Sequence, residues 1–303
     1  MSASLCSVGQ TVDRLDGAAS LKTTPRAPAA GSVFDGFNAG LTFSGVHDSS
    51  IGWYNVLTPA VSYTFSPHYS ADASLSIYPQ RLAVNEATNV TAKTRLISTS
   101  GDIGDLLVGA HAFFKVRGVQ STSTASMTMP TGNRTDGLST GRVTFDFSEH
   151  AERYVGRTGF VLDLGAGDSS GLFNGVVTEQ YSALGPIAHF QTGVVVWLPG
   201  RSYVQSVAYE QLPLGDQKIY TTVTAPGQPP RRVVSGRKVT EDNGFTTSVG
   251  IPLTANFTFT TYYNRSLRLH LDTVSTGVTW VLHGRAPRLS MIDRALREAA
   301  GVK

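Results

Sequence analysis

The sequence predicts an all-β fold, a closed antiparallel up-and-down transmembrane β-barrel of about 12 strands with a short C-terminal helix. Three observations lead to this prediction. Runs of about ten residues alternate apolar with small or polar side chains. The chain owes its polarity mainly to uncharged residues, and short connections alternate with long ones.

Apolar residues occupy every second position in several segments. Val143–Ser148 alternates Val, Phe and Phe with Thr, Asp and Ser, and Phe160–Gly165 and Val274–Leu282 follow the same rule. A soluble sandwich buries such an apolar face against a second sheet, whereas an outer-membrane barrel turns it to lipid. Alternation alone therefore leaves both architectures open.

Composition favours the membrane barrel. Only 16% of the residues are charged, against roughly 25% in average proteins, yet the mean hydropathy is −0.05. A chain with a lipid-facing surface avoids charge, because a Lys or Arg at the bilayer midplane costs about 2–4 kcal/mol. A secreted soluble β-protein could share this composition. The net charge of +3 and the absence of any Lys/Arg cluster larger than a pair such as Arg231-Arg232 argue against a nucleic-acid partner.

No segment predicts a membrane-spanning helix. The longest purely apolar run, Gly193–Leu198, has six residues, whereas a helical span needs about 20. A membrane location therefore requires a closed barrel. Cys6 is the single cysteine, so an intrachain disulfide is excluded. The first residues lack the basic and apolar regions of a signal peptide, which counts against export unless the signal has been removed or misassigned.

The barrel is predicted over 34–284, between a flexible leader (1–33) rich in Ala, Ser, Thr and Pro and a C-terminal periplasmic helix or tail (285–303). In the tail, Leu289–Ala300 has helical spacing, with Ser290 as N-cap and Gly301 as stop. The predicted strands, taken from the alternating runs and the turn residues between them, are 36–46, 54–66, 69–79, 104–117, 121–130, 142–150, 155–166, 187–198, 202–211, 244–252, 255–264 and 270–283.

The connections between these strands alternate in length. The short ones are predicted at 66–68, 118–120, 151–154, 199–201 and 253–254, and the long ones at 80–103, 131–141, 167–186 and 212–243. Bacterial barrels join strands by short periplasmic turns and long extracellular loops, whereas Greek-key crossovers have no reason to alternate. This order predicts an up-and-down barrel with both termini in the periplasm.

Aromatic residues cluster near both predicted strand ends, as expected for two interfacial girdles. The predicted girdle at the short-turn end comprises Phe65, Tyr69, Tyr154, Trp197, Tyr203, Phe257 and Trp280. The predicted girdle at the loop end comprises Trp53, Tyr54, Tyr78, Phe245, Tyr262 and Tyr263. The alternative is that β-proteins are rich in aromatic residues for other reasons.

Two segments carry a family resemblance: Gly101-Asp-Ile-Gly-Asp-Leu-Leu-Val-Gly-Ala110, which opens a strand, and Ala125-Ser-Met-Thr-Met-Pro-Thr-Gly-Asn133 with Leu138-Ser-Thr-Gly141, which frame a loop. They resemble bacterial outer-membrane β-barrel proteins of the phenol meta-degradation transporter type. Pro130 would end a strand, and Gly132 and Gly141 would permit turns with positive φ.

The resemblance implies a barrel in the bacterial outer membrane that passes small molecules, including hydrophobic or aromatic ones. Its implied partners are outer-membrane lipid, a small-molecule solute and the barrel-assembly machinery. The chain ends in Lys303 rather than in the terminal aromatic residue that this machinery recognises, so Trp280 is expected to serve as an internal signal.

No catalytic, cofactor-binding or metal-binding residue is predicted, and the chain is not expected to be an enzyme. Gly167–Gly171 matches the G-x-S-x-G elbow, and Asp216 and His270 follow it, but no repeating strand–helix units surround it. A barrel-embedded hydrolase that uses His189 or His270 as base stays a minor alternative. The histidines, at 47, 68, 111, 150, 189, 270 and 283, lack metal-ligand spacing.

Polar residues at alternating positions are expected to face the barrel lumen. The candidates are His111, Lys115, Asp146, Asp163, Gln191, Glu210 and Asp272. They could form structural networks or line a permeation path. Because eight strands give a filled interior and 16–18 an aqueous channel, about 12 predict a narrow or loop-plugged conduit. The sequence thus favours a channel or transporter, with a structural or adhesive barrel that acts through its long loops as the alternative.

Overall fold

The computed structural model describes residues 36–49, 52–85, 95–99, 101–132, 138–139, 141–167, 186–214, 219–223, 231–236, 241–268 and 270–283. The predicted leader (1–33), the predicted tail helix (285–303) and residues 168–171 of the G-x-S-x-G segment lie outside these ranges.

Nearly all of the described chain is β-strand. The strands are β1 (Phe37–Asp48), β2 (Gly52–Ser66), β3 (Tyr69–Asn85), β4 (Arg95–Thr99), β5 (Asp102–Val116), β6 (Val119–Met129), β7 (Thr144–Val155), β8 (Thr158–Gly167), β9 (Ile187–Trp197), β10 (Tyr203–Pro213), β11 (Ile219–Val223), β12 (Arg231–Gly236), β13 (Asp242–Pro252), β14 (Phe257–Ser266) and β15 (Leu271–His283). A 3-10 turn, Pro199–Arg201, joins β9 to β10. Within the described residues, no helix is long and apolar enough to cross a membrane.

Twelve of the described strands form a closed antiparallel barrel, which confirms the predicted fold. Each barrel strand pairs with its sequence neighbours in the barrel, and β1 closes the cylinder by pairing with β15 from Asn38↔His283 to Asp48↔Thr273. The short strand β4 pairs with the last residues of β3, and β11 and β12 form a separate hairpin. Full closure leaves no barrel edge with unpaired backbone groups.

All connections at one end of the barrel are short, and both ends of the barrel-forming chain lie there. These connections are 67–68, 117–118, 156–157, 198–202 and 253–256. We call this the short-turn end. The opposite end, which we call the loop end, carries the long connections 86–101, 130–143, 168–186 and 214–241, together with two brief ones at 49–51 and 267–270.

The turn predicted at 151–154 is wrong. These residues continue β7, and the chain reverses at Gly156-Arg157, where Gly156 has φ 63°. A glycine adopts this left-handed conformation without the steric cost that other residues meet. Glu152 and Tyr154 occupy alternate positions of this strand and share its inner face.

The two faces of the barrel wall differ in chemistry, as the alternation predicts. Outward-facing Phe43, Phe147 and Phe160 are 50%, 63% and 56% exposed, whereas the inward-facing Thr144 and Asn264 are 0% and 1% exposed. Each strand therefore turns its apolar side chains away from the interior. This arrangement leaves the protein stable only where the surroundings of the outer face are apolar.

The aromatic residues divide between the faces, so the two predicted girdles are only partly correct. The outward-facing members are Phe65, Tyr69, Phe257 and Trp280 at the short-turn end and Trp53, Phe245 and Tyr263 at the loop end. The inward-facing members are Tyr154, Trp197, Tyr203, Tyr54, Tyr78 and Tyr262. Proximity to a strand end does not decide the face, because the face changes with every residue.

The two faces of β8 predict opposite responses to substitution at neighbouring positions. Leu162 is 43% exposed on the outer face and Asp163 is 4% exposed inside. We expect Leu162→Arg, near the middle of the strand, to lower the free energy of unfolding by about 2–4 kcal/mol. Asp163→Asn keeps the shape of the side chain and one oxygen acceptor within reach of His150 Nδ1, so it should cost less than half as much.

Urea titration of the refolded barrel in lipid vesicles, read by heat-modifiable gel mobility, measures both effects. Leu162→Ala is the control for the loss of the apolar side chain without a new charge. If Leu162→Arg is no more harmful than Leu162→Ala, the outer face does not contact hydrocarbon.

Candidate functional site

Hydroxyl side chains cover much of the inner wall. The strand register places on this face Thr42, Ser44, Ser62, Thr64, Ser74, Thr122, Ser126, Thr128, Thr246, Ser248, Thr260, Ser275 and Thr279. Some bond one another: the Oγ1 atoms of Thr42 and Thr279 lie 3.0 Å apart. The wall thus offers a neutral surface that both donates and accepts hydrogen bonds.

Histidine–carboxylate pairs occupy the inner wall between the two ends. The pairs are Asp72–His111, His150–Asp163 and Asp146–His189. His150 Nδ1 lies 2.8 Å from Asp163 Oδ1, and these two residues are opposite each other on β7 and β8. Each imidazole therefore has a carboxylate partner within the wall.

The Asp146–His189 pair crosses a strand. Asp146 is on β7 and His189 on β9, and their Oδ1 and Nε2 atoms are 2.9 Å apart although β8 runs between them. β8 has glycine at both intervening positions. A Cβ on Gly165 would overlap the His189 ring, and one on Gly167 would lie 2.6 Å from Asp146 Oδ1. The pair exists because no side chain stands in this space.

A similar arrangement surrounds His111. Its Nε2 contacts Asp72 on β3, and its Nδ1 lies 3.0 Å from the Oγ1 of Thr124 on β6. Gly109 lies directly opposite Asp72, and a Cβ there would overlap Asp72 Oδ1. Asp72, His111 and Thr124 thus form a carboxylate–imidazole–hydroxyl chain across three strands.

Carboxylates near the loop end are held by hydroxyl groups. The Thr273 hydroxyl donates to Asp48 Oδ2 at 2.8 Å. Asp242 accepts hydrogen bonds from Ser266 and, at 3.3 Å, from Tyr209. Both carboxylates are 1% exposed, so their hydrogen-bonding capacity is used within the wall.

The β6–β7 connection folds into the barrel. Leu138 is 5% exposed and packs with Val46, Tyr54 and Tyr78, which face inward from β1, β2 and β3. Gly132 permits this path for a reason other than the predicted one: a Cβ there would lie 2.6 Å from the Leu138 carbonyl oxygen. Gly141, with φ 69°, does adopt the predicted positive φ. The connection narrows the interior near the loop end.

The register brings most of the predicted inner-face residues to that face. His111, Asp146 and Asp163 join the pairs described above, Gln191 lies opposite Asp163 and Tyr209, and Lys115 is exposed near the short-turn end. Their partners Asp72, His150 and His189 were missed. The alternation of side chains could have identified two of them, because residues an even number of positions apart in a strand share a face. His150 lies four positions after Asp146, and His189 lies two positions before Gln191.

Glu210 and Asp272 face outward, which corrects their predicted orientation. Glu210 lies opposite Phe190, which is 40% exposed on the outer face. Asp272 lies two positions before Val274, which is exposed on the outer face, and therefore shares that face. It bonds the outward-facing Arg265 and Tyr263 near the loop end. The prediction places both residues inside because polar residues at alternating positions are expected to face the lumen. Close to a strand end, however, an outward charge leaves the hydrocarbon and costs only about 0–1 kcal/mol.

A recess of about 550 Å³ lies on the outer wall over β5, β6 and β7. Small side chains form its floor, namely Ala110, Ala112, Ser123 and Ala125, and Tyr69 and Phe147 border it. The outward-facing Glu149 lies in this recess and accepts hydrogen bonds from Ser121 and Ser123. The two hydroxyls bind both carboxylate oxygens, which lowers the cost of a polar group on an apolar surface.

Among the described residues, no group of three or more His, Cys, Asp or Glu side chains could hold a metal ion. The described inner wall combines hydroxyls, histidine–carboxylate pairs and aromatic residues with a buried apolar cluster of Val161, Val195, Tyr203 and Val207. A closed barrel with an apolar outer face and a polar inner face defines a transmembrane β-barrel of the outer-membrane type.

Comparison with solved structures agrees with this class. An outer-membrane channel from Pseudomonas putida F1 superposes with a TM-score of 0.50 at 13% identity, over 86% of this chain and 100% of that chain. The KdgM porin in complex with disordered oligogalacturonate gives 0.47 at 6% identity, over 80% and 99%. Outer membrane phospholipase A from Escherichia coli gives 0.40 at 9% identity, over 80% and 89%. At these identities the likeness concerns the fold alone. No protein-family model and no curated protein matches the sequence.

The close approach at Gly109 predicts a selective effect of a single methyl group. Gly109→Ala should displace the Asp72 carboxylate from His111 and lower the free energy of unfolding by about 1–2 kcal/mol. In an Asp72→Ala background the same substitution should cost little, because the overlapping oxygen is gone. Urea titrations of the four proteins in this double-mutant cycle measure the coupling.

Gly40→Ala is the matched control for this cycle. A Cβ on Gly40 would meet the Trp280 carbonyl oxygen at an ordinary 3.6 Å, so this variant should be neutral or slightly stabilising. An equal cost of Gly109→Ala with and without Asp72 would contradict the proposed contact.

Proposed function

We propose that this chain is a bacterial outer-membrane channel that passes small solutes through the barrel interior. The observation that carries the proposal is the inner wall itself, where hydroxyls and histidine–carboxylate pairs occupy positions that a purely structural barrel could fill with packed apolar side chains. A polar wall is compatible with water and solute in the lumen. Twelve strands enclose a space between the filled interior of eight and the wide pore of 16–18.

The hydroxyl groups of the wall suit small solutes that carry hydroxyl groups themselves. Aromatic residues also face inward at both ends of the barrel, with ring centroids 6.2 Å apart for Tyr54 and Tyr78 and 5.7 Å apart for Trp197 and Tyr203. Tyr54 and Tyr78 are packed against Leu138, and Tyr203 is buried in an apolar cluster near the short-turn end. This chemistry agrees with the resemblance of Gly101–Ala110 to transporters of the phenol meta-degradation type. We propose that the chain is a member of that family.

The orientation of the barrel follows from its two ends. We place the short-turn end and both termini in the periplasm and the loop end at the cell surface, because outer-membrane barrels have short periplasmic turns. Outer-membrane lipid would surround the outer face. Trp280 lies on the outer face of the last strand opposite Phe257, where the barrel-assembly machinery could recognise it.

The long connections at one end favour a second candidate, an adhesive or structural barrel that acts through its loops. In that case the interior would carry no solute. Conductance measurements distinguish the two functions.

The position of Leu138 predicts how conductance responds to a change at the narrow part of the lumen. The purified barrel in a planar bilayer should show discrete conductance steps. Leu138→Ser removes apolar contact with Val46, Tyr54 and Tyr78, so the connection should leave the wall more often and the single-channel conductance should rise.

Leu212→Ser is the matched control, because Leu212 is 39% exposed on the outer face near the same end. It should leave the conductance unchanged. A refolded protein, verified by heat-modifiable mobility, that produces no steps would refute the channel and favour the adhesive function.

The two ends of β14 predict the orientation. Ala255 precedes β14 at the short-turn end and is exposed, and Leu267 follows it at the loop end and is 53% exposed. In a Cys6→Ser background, Leu267→Cys should react with a membrane-impermeant maleimide on intact cells. Ala255→Cys should react only after the outer membrane is permeabilised, and the reverse pattern would invert the proposed orientation.

A further inference from the structure

Four exposed arginines lie at the short-turn end, all in one half of the barrel. Arg117, Arg157 and Arg201 lie in the connections β5–β6, β7–β8 and β9–β10, which follow one another around the barrel. Arg153 faces outward from β7, two residues before that strand ends. We call these four residues the arginine arc. We propose that the arc binds the phosphate head groups of anionic phospholipids in the membrane leaflet around this end.

No carboxylate of the described residues pairs with a guanidinium group of the arc. The loop end differs, because Arg265 there pairs with Asp272. Arg268 pairs with Glu241 at the same end. Since a guanidinium group is always charged in proteins, the arc presents positive charge that no described acidic side chain neutralises.

The segments next to the arc offer no surplus of acidic residues. Glu152 faces the interior and accepts a hydrogen bond from the Tyr154 hydroxyl at 3.0 Å. Residues 284–303, which continue the chain from this end, contain more basic than acidic residues. Residues 1–35 contain equal numbers of the two. The charge of the arc therefore calls for anions from outside the chain.

The arc begins where the apolar outer face ends. Val116 and Val155 are the last outward-facing residues of β5 and β7, and both are 64% exposed. Arg117 follows Val116 directly, and Arg157 follows Val155 by two residues. Outward-facing apolar side chains of a membrane barrel contact hydrocarbon, and the polar head groups lie just beyond it. The guanidinium groups therefore lie at the depth of the lipid phosphates.

Two residues of the arc have a backbone conformation that arginine adopts at a cost. Arg117 and Arg201 have φ angles of 50° and 65°, in the left-handed region that glycine and asparagine tolerate best. In the two-residue turn Arg117-Gly118, the first position favours asparagine, aspartate or glycine. Turn chemistry therefore does not explain an arginine at these positions, whereas a role for its side chain does.

The spacing of the arc fits a lipid surface better than one small anion. Guanidinium groups bind phosphate oxygens in pairs, and successive turns at one end of a barrel are two strands, on the order of 10 Å, apart. One free phosphate cannot reach across several turns, whereas a row of head groups can. Each basic residue near an anionic membrane surface strengthens the attraction about fivefold.

The rest of this end provides an internal comparison. The connections 67–68 and 253–256 contain no Lys, Arg, Asp or Glu, so the lipid preference should be confined to the side of β5–β10. In the proposed orientation the lipids belong to the periplasmic leaflet. The inference does not depend on whether the barrel conducts solutes.

The test uses barrels with one tryptophan, refolded into vesicles of equal parts phosphatidylglycerol and phosphatidylcholine. Brominated acyl chains quench tryptophan fluorescence on contact, so bromine on one lipid at a time gives the local ratio of the two. Phe160→Trp, with Trp53, Trp197 and Trp280 replaced by Phe, places the reporter on β8 opposite Arg153. Native Trp280, with Trp53 and Trp197 replaced by Phe, reports from β15, across the barrel from β7.

The reporter at position 160 should show phosphatidylglycerol enriched about fivefold over phosphatidylcholine. The reporter at position 280 should show a ratio near one. Arg153→Gln together with Arg157→Gln should bring the ratio at position 160 close to one, because the positive charge beside this reporter is gone. Replacement of the same two residues by Lys should keep most of the preference, because it keeps the charge.

Arg268→Gln is the matched control, since it makes the same change at the loop end and should leave the ratio at position 160 unchanged. Heat-modifiable mobility verifies that each barrel is folded. If the double variant does not fold, each single variant should still lower the ratio. The difference between the two reporters in the otherwise unaltered barrel decides independently of them.

Three results would overturn the inference. One is an equal ratio at the two reporters, which would mean that no part of the outer face selects anionic lipid. Another is a preference at position 160 that persists without Arg153 and Arg157. The third is loss of the preference in inorganic phosphate but not in chloride of the same ionic strength, which would indicate a site for a free anion. None of these results bears on conductance, so the channel function is tested separately.

Discussion

The closure of the sheet between β1 and β15 is the constraint on which the rest of the structure depends. In hydrocarbon, each unsatisfied N–H or C=O costs several kcal/mol, so an open edge cannot exist there. Pairing from Asn38↔His283 to Asp48↔Thr273 removes that edge. Closure also sets which face of every strand is inside, because side chains alternate across the wall. A shift of one residue in any register would turn its apolar side chains inward.

The polar interior follows from this alternation of side chains across the wall. Hydroxyls and carboxylates at alternate positions lie next to polar residues of neighbouring strands, and glycines between them leave the space that lets particular pairs come into contact. The Asp146–His189 contact spans β8 because Gly165 and Gly167 leave the space empty. At these positions glycine is required because it has no side chain, and not because of a positive φ angle. The same local rule lets Asp72 reach His111 beside Gly109.

The connections add what the strands cannot. Strand number sets the approximate width of the lumen, but Leu138 narrows it by packing on Val46, Tyr54 and Tyr78 from a connection several strands away. The width of the interior therefore depends on the strands and on the inserted connection together.

The sequence by itself determined the barrel, the order of its strands and the composition of its outer face. These follow from a two-residue period and from turn residues, both of which act between near neighbours in the chain. Where turn chemistry was misread, at 151–154, the strand end was wrong. Tertiary structure alone decided that Asp146 contacts His189 and that Leu138 enters the interior. It also decided that Glu210 and Asp272 face outward near the loop end. Those outcomes depend on register and on contacts between distant strands, which residue type and local spacing do not contain.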